Sequence, residues 1–313
     1  FTFIGEMFGA GFGGAAGADY FVAFITGTTE PIIWFAVFLG LSCLIVLAGV
    51  EKGIEKYSKI MMPALFVMLI IIIIRSVTLP GAVEGLKFMF KPDFSVFASF
   101  DSAIAVAGTA LAQMFFSLSL GMGAMLTYGS YLGKEQNLQS SALIIPILDT
   151  MVAILAGVAI MPAVFAFGLD PSAGPGLMFI TLKEVFAAMP LGSFFGFLFF
   201  TLVFFAAITS SISLLEVICA YFIDSKKMQR KTVTAMAGIA VFILGIPVAL
   251  SQGMLSHIRP ILGMDILDSF DFIAEYTLMP LGALFMCIFV GWIWGPKIVT
   301  DEIEVSGHKF PLK

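Results

Sequence analysis

Apolar residues gather into seven runs, each roughly 20 residues or longer, the length a helix needs to cross a bilayer. They cover Ile32–Val50, Ile60–Thr78, Ala103–Tyr128, Ser141–Phe167, Gly192–Phe222, Thr232–Leu250 and Phe272–Trp294. Three of the polar connections are short: Glu51–Lys59, Leu132–Gln139 and Asp224–Lys231. Three are longer: Leu79–Asp101, Gly168–Leu191 and Ser251–Asp271, the second carrying an amphipathic run, Phe179–Val185, suited to folding back as a lid. Phe1–Glu30 is rich in Gly and Ala with little helical period and reads as a loop or the end of a helix. Gly9, Gly11 and Gly14 spell a bare G-x-G-x-x-G, but no strand precedes them and no βαβ unit surrounds them, so they do not indicate a nucleotide site.

The third run contradicts a plain anchor in its middle. Ser117, Ser119, Gly121 and Gly123 stand where a simple span would carry leucine. An unwound helix in lipid leaves carbonyls and amides unsatisfied unless protein or a wet cavity covers them. Two readings follow: a broken helix beside a small polar ligand or ion, or a kinked helix with Ser and Gly at a helix–helix contact.

Composition settles the class. Of 313 residues, 60% are hydrophobic and only 12% charged, with 34 phenylalanines. A soluble domain carries about twice that share of charge, so the chain is an integral, all-α polytopic membrane protein whose partner is the lipid bilayer. Nothing points to a nucleic-acid partner. Cys43, Cys219 and Cys287 lie inside apolar runs without metal-ligand spacing and read as small buried residues. Lys and Arg are unevenly shared. Lys52, Lys56, Lys59, Lys134, Lys226, Lys227, Arg230 and Lys231 sit in the short loops, with Lys297, Lys309 and Lys313 after the last run; Arg75, Lys87, Lys91, Lys183 and Arg259 fall on the other side. The positive-inside bias puts the short loops and the C-terminus in the cytoplasm and Phe1 outside. A first residue that is not Met, the lack of a leader pattern and a polar stop at Lys313 suggest a piece of a longer, transporter-sized chain.

Polar residues within the runs are the candidate chemistry. Asp149, near the start of the fourth run, costs about 2.5–3.5 kcal/mol inside a span and needs a cation or hydrogen-bond donor, unless it snorkels to the surface. With the Ser117 hydroxyl it would offer the oxygen ligands a hard cation such as Na⁺ prefers. In the fifth run, the Thr209 and Ser210 hydroxyls with the Ala206 carbonyl offer a neutral, oxygen-only cation site, unless the neighbouring hydroxyls are bonded back to their own helix. Glu216 reads as a carboxylate paired with a donor on another helix, or as a residue near the inner mouth. Asp271 and Glu275 face a wet vestibule or simply start a helix. His257 and His308 have no nucleophile or metal-ligand companion, and no P-loop is present, so no enzyme or ATP-driven reading arises.

Three stretches resemble the neurotransmitter:sodium symporter family, especially its bacterial amino-acid transporters. They are Phe115–Gly123 with Thr127-Tyr128, Leu148-Asp149-Thr150 with Gly157 and Pro162, and Phe205–Ser211. Broken helices at half-depth are a feature for which that family is itself the type example. The resemblance implies a LeuT-like inverted-repeat fold, partial here, with about seven transmembrane helices corresponding to the family's fourth to tenth. The whole of 1–313 would be one transporter domain: 32–78 the last two helices of the first repeat, 103–294 the second. The resemblance assigns Ser117 and Asp149 to one sodium site and Ala206, Thr209 and Ser210 to another. It makes Phe116 an aromatic lid over the substrate and Asp271 an outer-gate acid. It places Ser119, Met122 and Leu214, with Ser117 and Ser210, around the substrate.

Two departures carry information. Ala153 stands where chloride-dependent relatives have a hydroxyl, and Asp149 supplies a fixed negative charge, which together imply chloride independence; Gln113 matches another chloride-site residue and points the other way. Met122 between two glycines suits a large apolar or aromatic substrate. The expectation is a symporter of hydrophobic L-amino acids in a bacterial inner membrane, using two Na⁺ sites and no organic cofactor. The alternatives are a proton-coupled transporter of the same fold and a channel or non-transporting subunit.

Overall fold

The computed structural model describes residues 17–168, 171, 177–183, 186 and 190–305. The apolar runs become helix, the third with a break between Ser117 and Ala124, because in lipid a backbone bonds itself unless protein covers it. In chain order the helices are α1 (Gly17–Thr26), α2 (Glu30–Leu47), α3 (Lys56–Val77), α4 (Ala82–Phe90), α5 (Phe100–Ser117), α6 (Ala124–Gly129), α7 (Leu138–Ala166), α8 (Gly192–Lys226) and α9 (Arg230–Ala249). A last span follows, built from α10 (Ile266–Asp271), a widened π turn (Phe272–Leu278), α11 (Met279–Ile288) and a second π turn (Phe289–Trp294); α12 (Pro296–Glu304) closes the described chain. Seven of these elements are long and apolar enough to cross a membrane. Among the described residues no β-strand forms, only an isolated bridge between Ile261 and Met264.

Three boundaries differ from the sequence expectation. Residues 17–26, left open as a loop or the end of a helix, are helical: α1 docks on the turn Leu177–Thr181, where Phe21 stacks on Phe179 at 5.2 Å, a tertiary contact that helix period alone does not reveal. The long connection after α3 contains α4, nine residues seated on the C-terminal half of α7. The last span starts at Ile266 rather than Phe272, because the Asp265 carboxylate caps it by accepting from the Asp268 amide at 2.9 Å. Gly9, Gly11 and Gly14 lie outside the described residues.

The chain divides into two compact units. The first holds the residues up to Pro92 together with Ala153–Arg259. In it α8 packs on α2, α3 and α9. Small polar groups stitch these helices: Ser42 Oγ and Ser211 Oγ share a hydrogen bond at 2.9 Å, and Cys219 Sγ lies 3.5 Å from Thr234 Oγ1. Its apolar core gathers Leu69, Ile72, Val164, Leu182, Phe186 and Phe199. Leu182 belongs to the run expected as a lid and Phe186 follows it directly, and both are docked into this core; the Lys183 ammonium stands 5.5 Å from the centre of the Tyr20 ring, and residues 184–185 lie outside the described set. The second unit holds Asp93–Val152 and the residues from Pro260 on. There α5 packs against the Phe272–Leu278 turn and α11.

Candidate functional site

The third apolar run breaks where its Ser and Gly residues fall. α5 ends at Ser117 in a two-bond terminus: the Ser119 amide donates to the Phe116 carbonyl at 3.0 Å and the Leu120 amide reaches back to Phe115 at 2.9 Å. Such a stop needs a left-handed residue just past the helix, and Ser119 takes it at φ +54°. Gly121 at φ +77° and Gly123 at φ +87° repeat that conformation before α6 begins. This region disfavours a Cβ by about 1–2 kcal/mol per residue, which explains the glycines. Protein covers the break: a Cβ on Gly121 would collide with the Met279 carbonyl, and one on Gly282 with the Gly121 carbonyl. The broken chain and α11 therefore approach backbone to backbone. No backbone amide among the described residues donates to the carbonyls of Leu118, Ser119 or Leu120, while that of Gly121 is packed against Gly282.

Asp149 faces this helix end. The Ser117 hydroxyl donates to its carboxylate, with the two oxygens at 2.8 and 2.7 Å. The side chain is thus held by a partner 32 residues away rather than turned toward an aqueous surface. Among the described residues no Lys, Arg or His forms a salt bridge with it. A carboxylate in a membrane span that accepts from one hydroxyl keeps most of its acceptor capacity.

Ala206, Thr209 and Ser210 lie on one face of α8, in the other unit. Thr209 Oγ1 is 2.9 Å from the Ala206 carbonyl and 3.0 Å from that of Phe205, and Ser210 Oγ is 3.1 Å from the same Ala206 oxygen. The hydroxyls back-bond to their own helix, which is one of the two readings the sequence left open. Two hydroxyl oxygens thus meet at one carbonyl oxygen, and a donating hydroxyl keeps its lone pairs as acceptors.

The remaining candidates are less drawn together. Phe116 is 52% exposed at the end of α5, and Ser119 and Met122 lie in the break. Leu214, 48% exposed, is on α8 one turn past Ser210, and Asp271 is an exposed residue at the end of α10. Glu216 takes the paired reading. It is fully buried, and Arg230 grips it with both guanidinium nitrogens at 2.7 and 2.9 Å while also donating to the Val46 carbonyl at 3.2 Å. In the sequence Arg230 is one of the short-loop cations. Its position at the first residue of α9, just after a tight turn, was the available signal that it could reach back along α8.

Comparison with known proteins fits this geometry. A profile of the sodium:neurotransmitter symporter family matches residues 26–311. An uncharacterized sodium-dependent transporter of Bacillus subtilis (strain 168), YhdH, is 40% identical over 280 residues, covering 88% of this chain and 61% of the relative. The sodium- and chloride-dependent glycine transporter 2 of Xenopus laevis is 27% identical over 290 residues, covering 88% of this chain and 35% of that protein. The crystal structure of MhsT in complex with L-phenylalanine superposes with a TM-score of 0.85 at 42% identity, covering 99% of this chain and 69% of MhsT. The fold is accordingly that of the LeuT-like transporters, and the chain spans about three fifths of the Bacillus relative. With its broken helix, its carboxylate beside the break and a profile match over nearly its whole length, the chain belongs to the sodium:neurotransmitter symporter family, which consists of multi-pass membrane transporters and not of enzymes.

Proposed function

We propose that the complete protein couples Na⁺ entry to uptake of amino acids, with large hydrophobic or aromatic L-amino acids as substrates. The observation that carries this reading is the Ser117–Asp149 pair beside the helix break, where a carboxylate and carbonyls without an amide donor meet and no cation among the described residues pairs with the carboxylate. A monovalent hard cation suits that oxygen set. A second Na⁺ is assigned to the Ala206, Thr209 and Ser210 oxygens. Phe116, Ser119 and Met122 are assigned to substrate, and Asp271 to an outer gate. The bound L-phenylalanine of MhsT, 42% identical, supports an aromatic substrate.

The coupling is physical. A cation that holds the broken segment in one arrangement raises substrate affinity, and substrate must raise cation affinity by the same factor. Rocking of one helix bundle against the rest would expose the site to each side in turn. The Lys-rich short loops support a cytoplasmic placement for the C-terminal end. Because Asp149 carries a fixed charge and Ala153 lacks a hydroxyl, transport runs without chloride.

The deciding experiment is binding of labelled L-phenylalanine to the full-length protein at fixed pH while Na⁺ is exchanged for choline. Saturable binding that requires Na⁺ is expected. Binding that ignores Na⁺ but follows pH would assign the coupling to protons, and no binding of any amino acid would point to a channel or non-transporting subunit. Replacing chloride by gluconate should leave uptake unchanged; collapse of uptake would refute chloride independence.

A further inference from the structure

α4 divides its surface three ways. Ala82, Gly85 and Met89, at i, i+3 and i+7, form one stripe. That stripe packs on α7: Ala82 and Gly85 are buried, a Cβ on Gly85 would sit 2.5 Å from the Met161 carbonyl, and the Met89 methyl lies against Gly157. Glu84, Lys87 and Lys91, with the same spacing, form a second stripe on the opposite side. All three are exposed, and Lys87 pairs with Glu84 at 2.7 Å. Val83 and Phe90, seven residues apart and so on one line, form a third stripe between these two, 60% and 57% exposed. Phe88, 56% exposed, projects from the other flank, where its ring meets Phe165 at 5.1 Å.

Position along the chain says what the third stripe meets. The spanning helix α3 ends at Val77, and α4 starts only at Ala82, so α4 is tethered at the membrane boundary. A helix there with a protein face, a charged face and an apolar flank can satisfy all three only by lying flat in the interface. The pattern continues past the helix, where Phe94, Phe97 and Phe100 are 73%, 69% and 79% exposed. Exposed phenylalanine in such density is unfavourable in water and ordinary at the level of glycerol and upper acyl chains. Lys87 and Lys91, next to Phe88 and Phe90, are placed to meet phosphate groups. We infer that α4 is an interfacial lipid-binding helix, with Val83 and Phe90 inserted among phospholipid acyl chains and Lys87 and Lys91 at the headgroup phosphates.

Spin labelling of the full-length protein tests this, in a background without reactive native cysteines and in vesicles of phosphatidylcholine and phosphatidylglycerol. Labels are placed singly through Val83→Cys, Glu84→Cys, Lys87→Cys, Phe90→Cys and Lys91→Cys. Collisions with oxygen should exceed those with a water-soluble nickel chelate at positions 83 and 90. The ratio should reverse, by several-fold, at 84, 87 and 91. Nickel access at 83 and 90 equal to that at 87 and 91 would place the flank in water. Low access to both reagents at 83 and 90 would mean that protein covers it. Either result overturns the inference.

Discussion

Asp149 and Glu216 are both carboxylates inside membrane spans, and they are solved in opposite ways. Glu216 is fully buried and neutralised within the protein by a two-pronged guanidinium. Asp149 is half-buried and bonded by a single hydroxyl, beside a chain whose carbonyls are left over. A buried charge that brings its own counterion is finished structure. A charge that lacks one, next to spare oxygen ligands, is set up for a cation from outside. The difference separates an architectural carboxylate from a candidate ligand more sharply than depth in the membrane does.

The largest expected effect lies on the architectural side. Arg230→Leu strands Glu216 as a buried unpaired charge, for a loss of about 3–5 kcal/mol. Thermal unfolding of the full-length protein in detergent should show a collapse of stability, and adding Glu216→Gln should restore much of it. If the single and double variants unfold alike, the pair is not the counterion arrangement described here. Next comes the break. Gly121→Ala forces a Cβ into a left-handed residue and onto the Met279 carbonyl, costing at least about 1–2 kcal/mol. Its readout is the same unfolding assay with substrate binding alongside; an unchanged variant would mean the helix runs differently through this stretch.

The remaining predictions address the ligand side. Asp149→Asn should leave stability nearly intact but raise the Na⁺ concentration for half-maximal substrate binding by about tenfold, or about 1.4 kcal/mol. A drop in stability like that of Arg230→Leu would make Asp149 a second architectural carboxylate and erase the contrast. Ser210→Ala removes one neutral oxygen and should cost about 0.5–1.5 kcal/mol in Na⁺ affinity. Sodium titrations of binding in this variant and in Thr209→Ser, which keeps its hydroxyl and should be nearly silent, distinguish an ion ligand from ordinary back-bonding.

Sequence and structure agree where the signal is local and fail where it is distant. The break in the third run was legible because Ser119, Gly121 and Gly123 weaken a helix wherever they stand. Asp149 was legible because a carboxylate among apolar residues needs a partner. The partner of Glu216 was not, because Arg230 begins a helix in a basic loop and looks solvated until the chain folds back. Gly282 gave no sign that it meets Gly121, because a glycine in a membrane helix is ordinary until another backbone touches it.

By itself the chain determined its class, its seven spans and the place where one of them comes apart, because hydrophobic length and backbone propensity act within about twenty residues. Only the tertiary structure decided that α1 and α4 are helices, that the Ser117 hydroxyl lands on Asp149, and which carboxylate has its counterion. Those outcomes depend on groups far apart in sequence, and a hydrogen bond or ion pair forms only once packing has brought its two ends within about 3 Å.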